Sequence, residues 1–262
     1  MICEIFTCFI NLWSKAPIVW LSGVRRIGKT TLAQALEGCE FFNCDLPSTQ
    51  RLLSDPEAFF RSFTKKRVIL DEVHQLPDPS QLLKIGADAF PHLHILATGS
   101  STLAATHKFR DSLTGRKRAL NLVPVLHQEL PLFGIADLRH RLFRGGLPPA
   151  LLSKDYDPSF YGEWLDSYYA RDVQGLFRVE KRSGFLKLVE SVLQLSGGQT
   201  AATALSRLCG LSRITVLNYL EVLDLTHLAV FVRPYSGGGQ REIIRQPKVY
   251  AFDTGFVTYA RG

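Results

Sequence analysis

The segment that most constrains the fold is IVWLSGVRRIGKTTLAQAL, which runs from Ile18 to Leu36. It begins with β-branched and other apolar residues, continues through a loop with two glycines, and ends in apolar residues at helical spacing. Four further runs rich in β-forming residues follow up to Val125, and helical patterns alternate with them. This alternation is typical of a parallel sheet covered by helices, so the sequence predicts an α/β fold in this part of the chain.

The loop after the first strand matches the pattern G-x-x-x-x-G-K-S/T from Gly23 to Thr30. Its two glycines permit unusual backbone angles and a close approach of the backbone to a ligand. Successive N–H groups at a helix N-terminus bind phosphate oxygens, Lys29 reaches the β- and γ-phosphates, and the Thr30 hydroxyl binds Mg²⁺. The sequence thus predicts a site for ATP and Mg²⁺. The predicted nucleotide-binding residues are Gly23, Val24, Arg25, Arg26, Ile27, Gly28, Lys29, Thr30 and Thr31.

A second polar motif ends the strand predicted at Val68 to Leu70, where Asp71 and Glu72 follow the apolar run. The carboxyl ends of parallel strands meet at one edge of a sheet, so these carboxylates are expected near the phosphate loop. Asp71 is the predicted carboxylate ligand of Mg²⁺, and Glu72 is the predicted general base that activates water. The alternative is a pair of surface acids at a strand end. Together with the phosphate loop, the motif predicts hydrolysis and not binding alone.

Two further residues complete the predicted catalytic set. LHILATGSS ends another strand in hydroxyl groups, of which Ser100 is predicted to contact the γ-phosphate or the attacking water. The alternative for Ser100 is a cap for the next helix. Arg116, in SLTGR, is predicted to stabilise charge on the transferred phosphoryl group, in its own subunit or in a neighbour's. Its rivals are Arg110 and Arg118, and the alternative is a solvated turn.

Composition excludes several classes of protein. The chain has 262 residues, of which 46% are hydrophobic and 21% charged, and this excludes a disordered protein. No apolar stretch reaches the roughly 18 residues that span a bilayer, so we expect no membrane insertion. Reduced, buried cysteines are expected, and with them a cytoplasmic location. None of the 5 cysteines forms a Cys-x-x-Cys pair, which argues against a zinc site. The net charge of +7 suits a polyanionic partner, with a solvated basic surface as the alternative.

The segment TALSRLCGLSRITVLNYL, from Thr203 to Leu220, predicts a helix, a turn and a second helix. Gly210 is expected in the left-handed turn and Ser212 at the N-cap of the second helix. The residues expected to face inward are Leu205 and Leu208 in the first helix and Ile214, Leu217 and Leu220 in the second.

The exposed face of that second helix would carry Arg213, Thr215 and Asn218, which are the candidate contacts to DNA. The strands and the glycine cluster that follow would form a wing. The face is not strongly basic, because Glu221 and Asp224 follow it. A winged helix used for packing or for a protein partner is therefore the alternative.

The motifs GVRRIGKTTL, VILDEVHQLPD, LATGSSTLA and SLTGR together resemble a bacterial and archaeal family of AAA-type ATPases. Its members pair a P-loop domain with a C-terminal domain of unknown function. The later segments SRITVLNYLEVLDLTHLAVFVRPYS and PKVYAFDTG are similar to the winged-helix part of that domain. The resemblance spans residues 17–255 and implies ATP binding and hydrolysis by an additional-strand P-loop fold. It also implies that Glu72 is the acidic residue after the Mg²⁺ aspartate, and Arg116 keeps its place in an x-G-R motif.

Members of that family, as a rule, continue past the Asp-Thr-Gly motif at Asp253 to Gly255 into a restriction-nuclease-like fold. This chain ends at Gly262 and has no P-D…E-x-K pattern, so nuclease chemistry is not expected. A natural truncation and a fragment are both open.

The predicted organisation is a P-loop ATPase domain at residues 1–130, a helical linker or lid region at 131–184 and a winged-helix domain at 185–262. The predicted function is Mg²⁺-dependent ATP hydrolysis coupled to the winged-helix module. The alternative is a slow nucleotide-gated switch that regulates binding of DNA or protein, and an inert remnant is a third hypothesis. A homo-oligomer or a protein partner is expected.

Overall fold

Five parallel strands and the helices that cover them make up the first of two units in the chain. The computed structural model describes residues 2–63, 66–99, 107–174, 177, 179–235 and 246–262, without the side chains of residues 2–6, 107, 108 and 110. The units are residues 1–122 and residues 123–262. The segment predicted as a helical linker lies within the second unit, and the three-part division stays a prediction.

The strands of the first unit form one sheet in the order β2-β3-β4-β1-β5, and every pair is parallel. β4 therefore lies between the strand that enters the phosphate loop and the strand that ends in Asp71. The strands are β1 (Ile18–Ser22), β2 (Glu40–Asn43), β3 (Arg67–Asp71), β4 (His94–Thr98) and β5 (Lys117–Asn121). The helices are α1 (Ile2–Trp13), α2 (Lys29–Gln34), α3 (Pro47–Leu52), α4 (Pro56–Arg61), α5 (Pro79–Ala89) and α6 (His107–Ser112).

The central strands β1, β3 and β4 are buried on both faces, which explains their nearly continuous apolar runs. Successive side chains of a strand point to opposite faces, so Ile18 and Trp20 of β1 join one core while Val19 and Leu21 join the other. Helix α1 packs on the second core through Phe9 and Trp13. The apolar N-terminal segment is thus a helix packed on the sheet.

Local residues set the ends of two helices in the first unit. Helix α2 ends at Gln34, and a turn with Gly38 at a φ of 72° leads into β2. Helix α5 is capped by Asp78, since the Asp78 side chain accepts a hydrogen bond from the Gln81 N–H. A Pro at the first helical position leaves the cap to the residue before it.

The second unit is built mainly of helices with one antiparallel pair of strands. Its helices are α7 (Leu138–Arg144), α8 (Pro148–Leu151), α9 (Pro158–Tyr168), α10 (Arg182–Gln194), α11 (Ala202–Cys209), α12 (Arg213–Leu225) and α13 (Thr254–Arg261). Strands β6 (Ala229–Val232) and β7 (Lys248–Ala251) pair with each other. The glycine cluster predicted as a wing, residues 237–239, lies outside the described residues, so the winged helix stays a prediction.

The predicted helix-turn-helix is present in α11 and α12. Gly210 has a φ of 65°, and the Ser212 hydroxyl accepts a hydrogen bond from the Thr215 N–H at 3.1 Å. The predicted inward face is wrong at Ile214, which is 73% exposed, and at Leu217, which is 45% exposed, whereas Leu220 is half-buried. In α11 the predicted burial of Leu205 is confirmed, and that of Leu208 is wrong because it is 52% exposed. The buried side chains of α12 are Val216, Tyr219, Val222 and Leu223.

Tyr219 sets this rotation of α12, because its ring packs edge-on against Phe185 of α10 with 5.3 Å between the ring centroids. An aromatic side chain buries more area than the aliphatic residues on the neighbouring face, so its burial determines which face of the helix turns inward.

A group of residues that we call the Asp253 clasp joins distant parts of the second unit: Arg141, Gly145, Gly146, Asp253 and Gly255. The Asp253 carboxylate accepts hydrogen bonds from the N–H of Gly146 at 2.5 Å and the N–H of Gly255 at 2.9 Å. A Cβ on Gly145 would overlap the Asp253 carboxylate, and one on Gly255 would lie 2.5 Å from the Arg144 carbonyl oxygen. Gly145 and Gly255 therefore permit close packing around the buried carboxylate of Asp253.

Candidate nucleotide-phosphate site

The carboxyl ends of β1, β3 and β4 bring three sequence motifs to one edge of the sheet. In the register of the parallel pairs, Leu21 lies opposite Thr98, and Leu70 lies opposite Ala97. The phosphate loop begins directly after β1, Asp71 ends β3 and Thr98 ends β4. The structure therefore brings the loop and the Asp71–Glu72 pair together, as the sequence predicts.

The loop itself adopts a backbone that depends on glycine at both ends. Gly23 has a φ of 149°, and a Cβ there would lie 2.7 Å from the Leu122 carbonyl oxygen. Gly28 has a φ of 102° and precedes the first residue of α2. Arg26 between them is also left-handed, with a φ of 58°. Alternation of this kind turns successive N–H groups toward one concave side, which is the backbone arrangement that binds anions.

Lys29 is the buried cation of this loop. It is 7% exposed, and its Nζ donates to the carbonyl oxygens of Gly23 at 2.9 Å and Val24 at 3.1 Å. An anionic phosphate oxygen is a stronger acceptor for an ammonium group than a neutral carbonyl. The residue is thus placed to exchange loop carbonyls for phosphate oxygens.

Asp71 connects the loop to the neighbouring strand. Its Oδ2 accepts a hydrogen bond from Thr30 Oγ1 at 2.8 Å, and its Oδ1 accepts one from Thr98 Oγ1 at 2.5 Å. Two adjacent ligands of an octahedral Mg²⁺, each about 2.1 Å from the ion, lie about 3 Å apart. The separation of the Thr30 and Asp71 oxygens therefore fits a shared Mg²⁺, and these are the two predicted metal ligands. Among the described residues, no group of three or more His, Cys, Asp or Glu side chains could hold a metal.

Glu72 follows Asp71 in a backbone conformation that is rare for residues other than glycine. Its φ is 57° and its ψ 43°, and its N–H donates to Thr98 Oγ1 at 3.0 Å. Strained conformations of this kind concentrate at functional sites. Burial raises the pKa of the Glu72 carboxyl, and the Lys29 charge opposes this rise.

Thr98 and His74 are the site residues that were not in the predicted catalytic set. The Thr98 hydroxyl joins Asp71 to the Glu72 backbone. The predicted residue Ser100 lies outside the described residues. His74 Nδ1 lies 3.1 Å from Glu72 Oε2. The end of the apolar run in LHILATG points to Thr98, whereas no sequence pattern separates His74 from an ordinary polar residue in a turn.

Arg116 lies at the amino ends of the strands, opposite the edge that the carboxyl ends of β1, β3 and β4 form. Its carbonyl oxygen accepts a hydrogen bond from the Ile18 N–H at the start of β1, whereas the phosphate loop follows the end of that strand. The two ends of a five-residue strand are about 13 Å apart. Its guanidinium binds Asp88 through Nε at 2.6 Å and Nη2 at 3.0 Å. The structure therefore does not bring Arg116 to the phosphate loop of its own subunit, and that alternative for Arg116 is wrong.

Comparison with known families agrees with the two units. Residues 15–130 match the family described as an AAA domain. Residues 135–262 match a family described as a domain of unknown function.

Similar proteins include uncharacterized proteins of Mycobacterium tuberculosis and Mycobacterium bovis, each 26% identical over 254 residues. These matches cover 93% of this chain and 56% of each relative, so the chain spans about half the length of the curated relatives it matches. A Walker-type ATPase of Pyrococcus abyssi has a similar fold, with a TM-score of 0.59 and 14% identity over 99% of this chain and 95% of that chain. The chain is thus similar to an AAA domain over residues 15–130 and to a domain of unknown function over residues 135–262.

Proposed function

We propose that the chain binds ATP with Mg²⁺ and hydrolyses it at the edge of the sheet formed by β1, β3 and β4. The observation that carries the proposal is the bond between Thr30 and Asp71. It places a hydroxyl and a carboxylate oxygen 2.8 Å apart beside a buried lysine and a glycine loop. A phosphate loop alone would support binding, and the acidic residue beyond Asp71 extends the proposal to hydrolysis.

In this proposal, backbone N–H groups and side chains bind different parts of the nucleotide and its metal ion. The N–H groups from Gly23 to Thr31 hold the phosphates, and Lys29 donates to their oxygens. Thr30 and Asp71 would hold the ion, which would supply positive charge to the phosphate groups. The side chains of Arg25 and Arg26 are not required for the phosphate cradle.

Glu72 is the proposed general base. Its carboxylate accepts the proton of a water molecule as that water attacks the γ-phosphorus, while the bond from this phosphorus to the β–γ bridging oxygen breaks and ADP leaves. The rigid turn after β3, fixed by the Thr98 bond to the Glu72 N–H, holds this carboxylate at the same sheet edge as Lys29. Ser100 stays a proposed contact to the γ-phosphate or the water.

Arg116 serves the site of a neighbouring subunit in this proposal, because it lies away from its own phosphate loop. Its side chain is about one-third exposed and pairs with an exposed aspartate, so a second copy can approach it. A homo-oligomer is then required for full activity. Turnover per subunit should rise with protein concentration, and Arg116→Ala should remove that rise.

Phosphate release from Mg-ATP by the purified chain tests the proposal. The wild-type chain should turn over ATP, chelation of Mg²⁺ should stop turnover, and Lys29→Ala should lose both nucleotide binding and turnover. Lys15→Ala is the matched control, since Lys15 is an exposed lysine of the same unit. Full binding and turnover in Lys29→Ala would contradict the assignment.

A nucleotide-gated regulator is the second candidate function, and the exposed face of α12 favours it. Ile214 and Leu217 are exposed between Arg213 and Asn218, and Thr215 is engaged in the cap of the helix through Ser212. This surface is more apolar than a phosphate-binding one, so it supports a protein partner above DNA. A binding assay across salt concentrations separates the two, because a contact of Arg213 to a DNA phosphate would weaken with salt, whereas an apolar contact to a protein would not.

A further inference from the structure

His74 lies in the short 3-10 helix Val73–Gln75 that follows Glu72. Its Nδ1 is 3.1 Å from Glu72 Oε2, and the two side chains are 20% and 27% exposed. An interaction in so restricted a space is less screened by water than a surface pair. The contact therefore affects how the Glu72 side chain is oriented.

Gln75 contacts the other nitrogen of the His74 ring. Its Nε2 lies 3.2 Å from His74 Nε2. An amide nitrogen only donates hydrogen bonds, so with this orientation of the Gln75 amide the ring nitrogen Nε2 accepts. The proton of the neutral ring is then on Nδ1, which donates to the Glu72 carboxylate.

The ring of His74 is also placed by the core of the sheet. A Cβ on Gly99 would lie 2.6 Å from Trp20 Cη2 and 3.5 Å from His74 Nδ1. Gly99 thus leaves room for both rings at the end of β4. Trp20 is 1% exposed and packs edge-on against Phe109, with 4.7 Å between the ring centroids. His74 therefore lies against the rigid end of the sheet.

The Glu72 main chain and side chain are held by different partners. Thr98 fixes the main chain through the Glu72 N–H, and His74 binds one side-chain oxygen. Within the described residues, the other oxygen, Oε1, has no hydrogen-bond partner. An oriented carboxylate with one oxygen held and one open is suited to accept a proton from water.

We propose that His74 is a positioning residue for ATP hydrolysis, whose Nδ1–H holds Glu72 Oε2 and directs Oε1 to the attacking water. This inference rests on the proposed function. His74 does not touch the nucleotide, and it acts only through the orientation of Glu72.

Steady-state ATP hydrolysis by the full chain tests this role with three substitutions. His74→Leu removes the donor, and we expect kcat to fall about tenfold, part of the 10²–10⁴-fold that a general base contributes. KM for ATP should stay within about twofold, because Lys29 and Thr30 make the binding contacts. His74→Asn should keep most of kcat, since its Nδ2 replaces Nδ1, whereas His74→Gln places its amide nearer the position of Nε2 and should not.

His92→Asn is the control, because His92 is an exposed histidine of the same unit outside the site. It should leave kcat and KM unchanged. Thermal unfolding of each variant separates misfolding from misorientation, and if His74→Leu does not fold, the comparison of His74→Asn with His74→Gln decides.

The proposal is overturned if His74→Leu keeps or raises kcat, or if His74→Asn and His74→Gln lose it equally. Turnover that Glu72→Gln abolishes but His74→Leu leaves intact would overturn the role of His74 alone. A wild-type chain without turnover would overturn the proposed function and this role with it.

Discussion

Two aspartates with similar burial differ in the kind of partner that surrounds them. Asp71 follows the apolar run of β3 and is 1% exposed, and Asp253 lies just beyond β7 and is 3% exposed. The oxygens of Asp71 accept hydrogen bonds from the side-chain hydroxyls of Thr30 and Thr98. Those of Asp253 accept from the backbone N–H groups of Gly146 and Gly255.

The difference distinguishes a carboxylate that can exchange its partners from one that cannot. A hydroxyl group rotates and offers a lone pair, so Thr30 can turn from Asp71 to a shared cation without a change in the backbone. Backbone N–H groups point in fixed directions. Arg141 Nη1 lies 3.6 Å from Asp253 Oδ2, the oxygen that accepts from the Gly146 N–H. Burial raises the pKa of Asp253, while the Gly146 N–H and Arg141 oppose this rise. This difference supports the proposed role of Asp71 in chemistry and a role of Asp253 in folding.

Asp71→Asn should have the largest effect on activity. The amide removes the negative charge that the ion requires, so turnover of ATP should fall about 10³-fold, or about 4 kcal/mol of barrier. The measurement is kcat at saturating Mg-ATP. Asp253→Asn is the control, and its turnover per folded molecule should match that of the wild-type chain. A large loss of kcat in both variants would remove the distinction between them.

Gly145→Ala should have the largest effect on stability. Its φ of 78° is unfavourable for alanine, and the new Cβ would overlap the Asp253 carboxylate. We expect urea unfolding to show a loss of about 3 kcal/mol from overlap and strain together. Gly134→Ala is the control, because Gly134 has a φ of 71° with nothing within 4 Å of the added Cβ. That variant should lose about 1 kcal/mol, and an equal loss in both would argue against the clasp.

Asp253→Asn should destabilise the second unit by about 2 kcal/mol. The amide accepts at only one of its two positions, so the N–H of Gly146 or of Gly255 would face an NH₂ group and lose its buried acceptor. The free energy of unfolding from urea titration measures this loss. Unchanged stability would mean that the buried bonds of Asp253 contribute little.

Thr98→Val should lower stability by about 1 kcal/mol, less than Gly145→Ala or Asp253→Asn. Valine keeps the shape but removes the donor to Asp71 and the acceptor for the Glu72 N–H. Turnover should fall as well, because Glu72 loses its backbone support. Thr98→Ser keeps the hydroxyl and should restore both properties. If the serine variant is as impaired as the valine variant, the hydroxyl has no part in the effect.

The sequence was sufficient to predict the strands of the first unit and the polar motifs at their ends. Apolar runs at β1, β3 and β4 stop at polar residues, and parallel pairing then brings those residues to one edge. The place of Arg116 depends on the direction of β5, because a residue that precedes a parallel strand lies opposite the edge where the carboxyl ends meet. The segment SLTGR by itself does not reveal that direction. The predicted rotation of α12 was wrong because the burial of Tyr219 stabilises this helix more than the burial of Ile214 and Leu217 would. The burial of Tyr219 depends on its contact with Phe185 of α10, which the sequence pattern of α12 does not contain.

No sequence pattern predicts the contact between His74 and Glu72. It depends on the left-handed backbone of Glu72 and on the space beside Gly99, neither of which a residue spacing reveals. The roles of Gly145 and Gly146 depend on their contact with Asp253, which lies more than 100 residues later in the sequence.

The most direct test of the account separates binding from turnover in Glu72→Gln. The substitution keeps the shape of the side chain and removes only its ability to accept a proton, so Lys29, Thr30 and Asp71 remain in place. We predict that this variant binds Mg-ATP as tightly as the wild-type chain and that its phosphate release falls at least about 100-fold. Phosphate release at the wild-type rate, with binding unchanged, would contradict the assignment of Glu72 and of this sheet edge to hydrolysis.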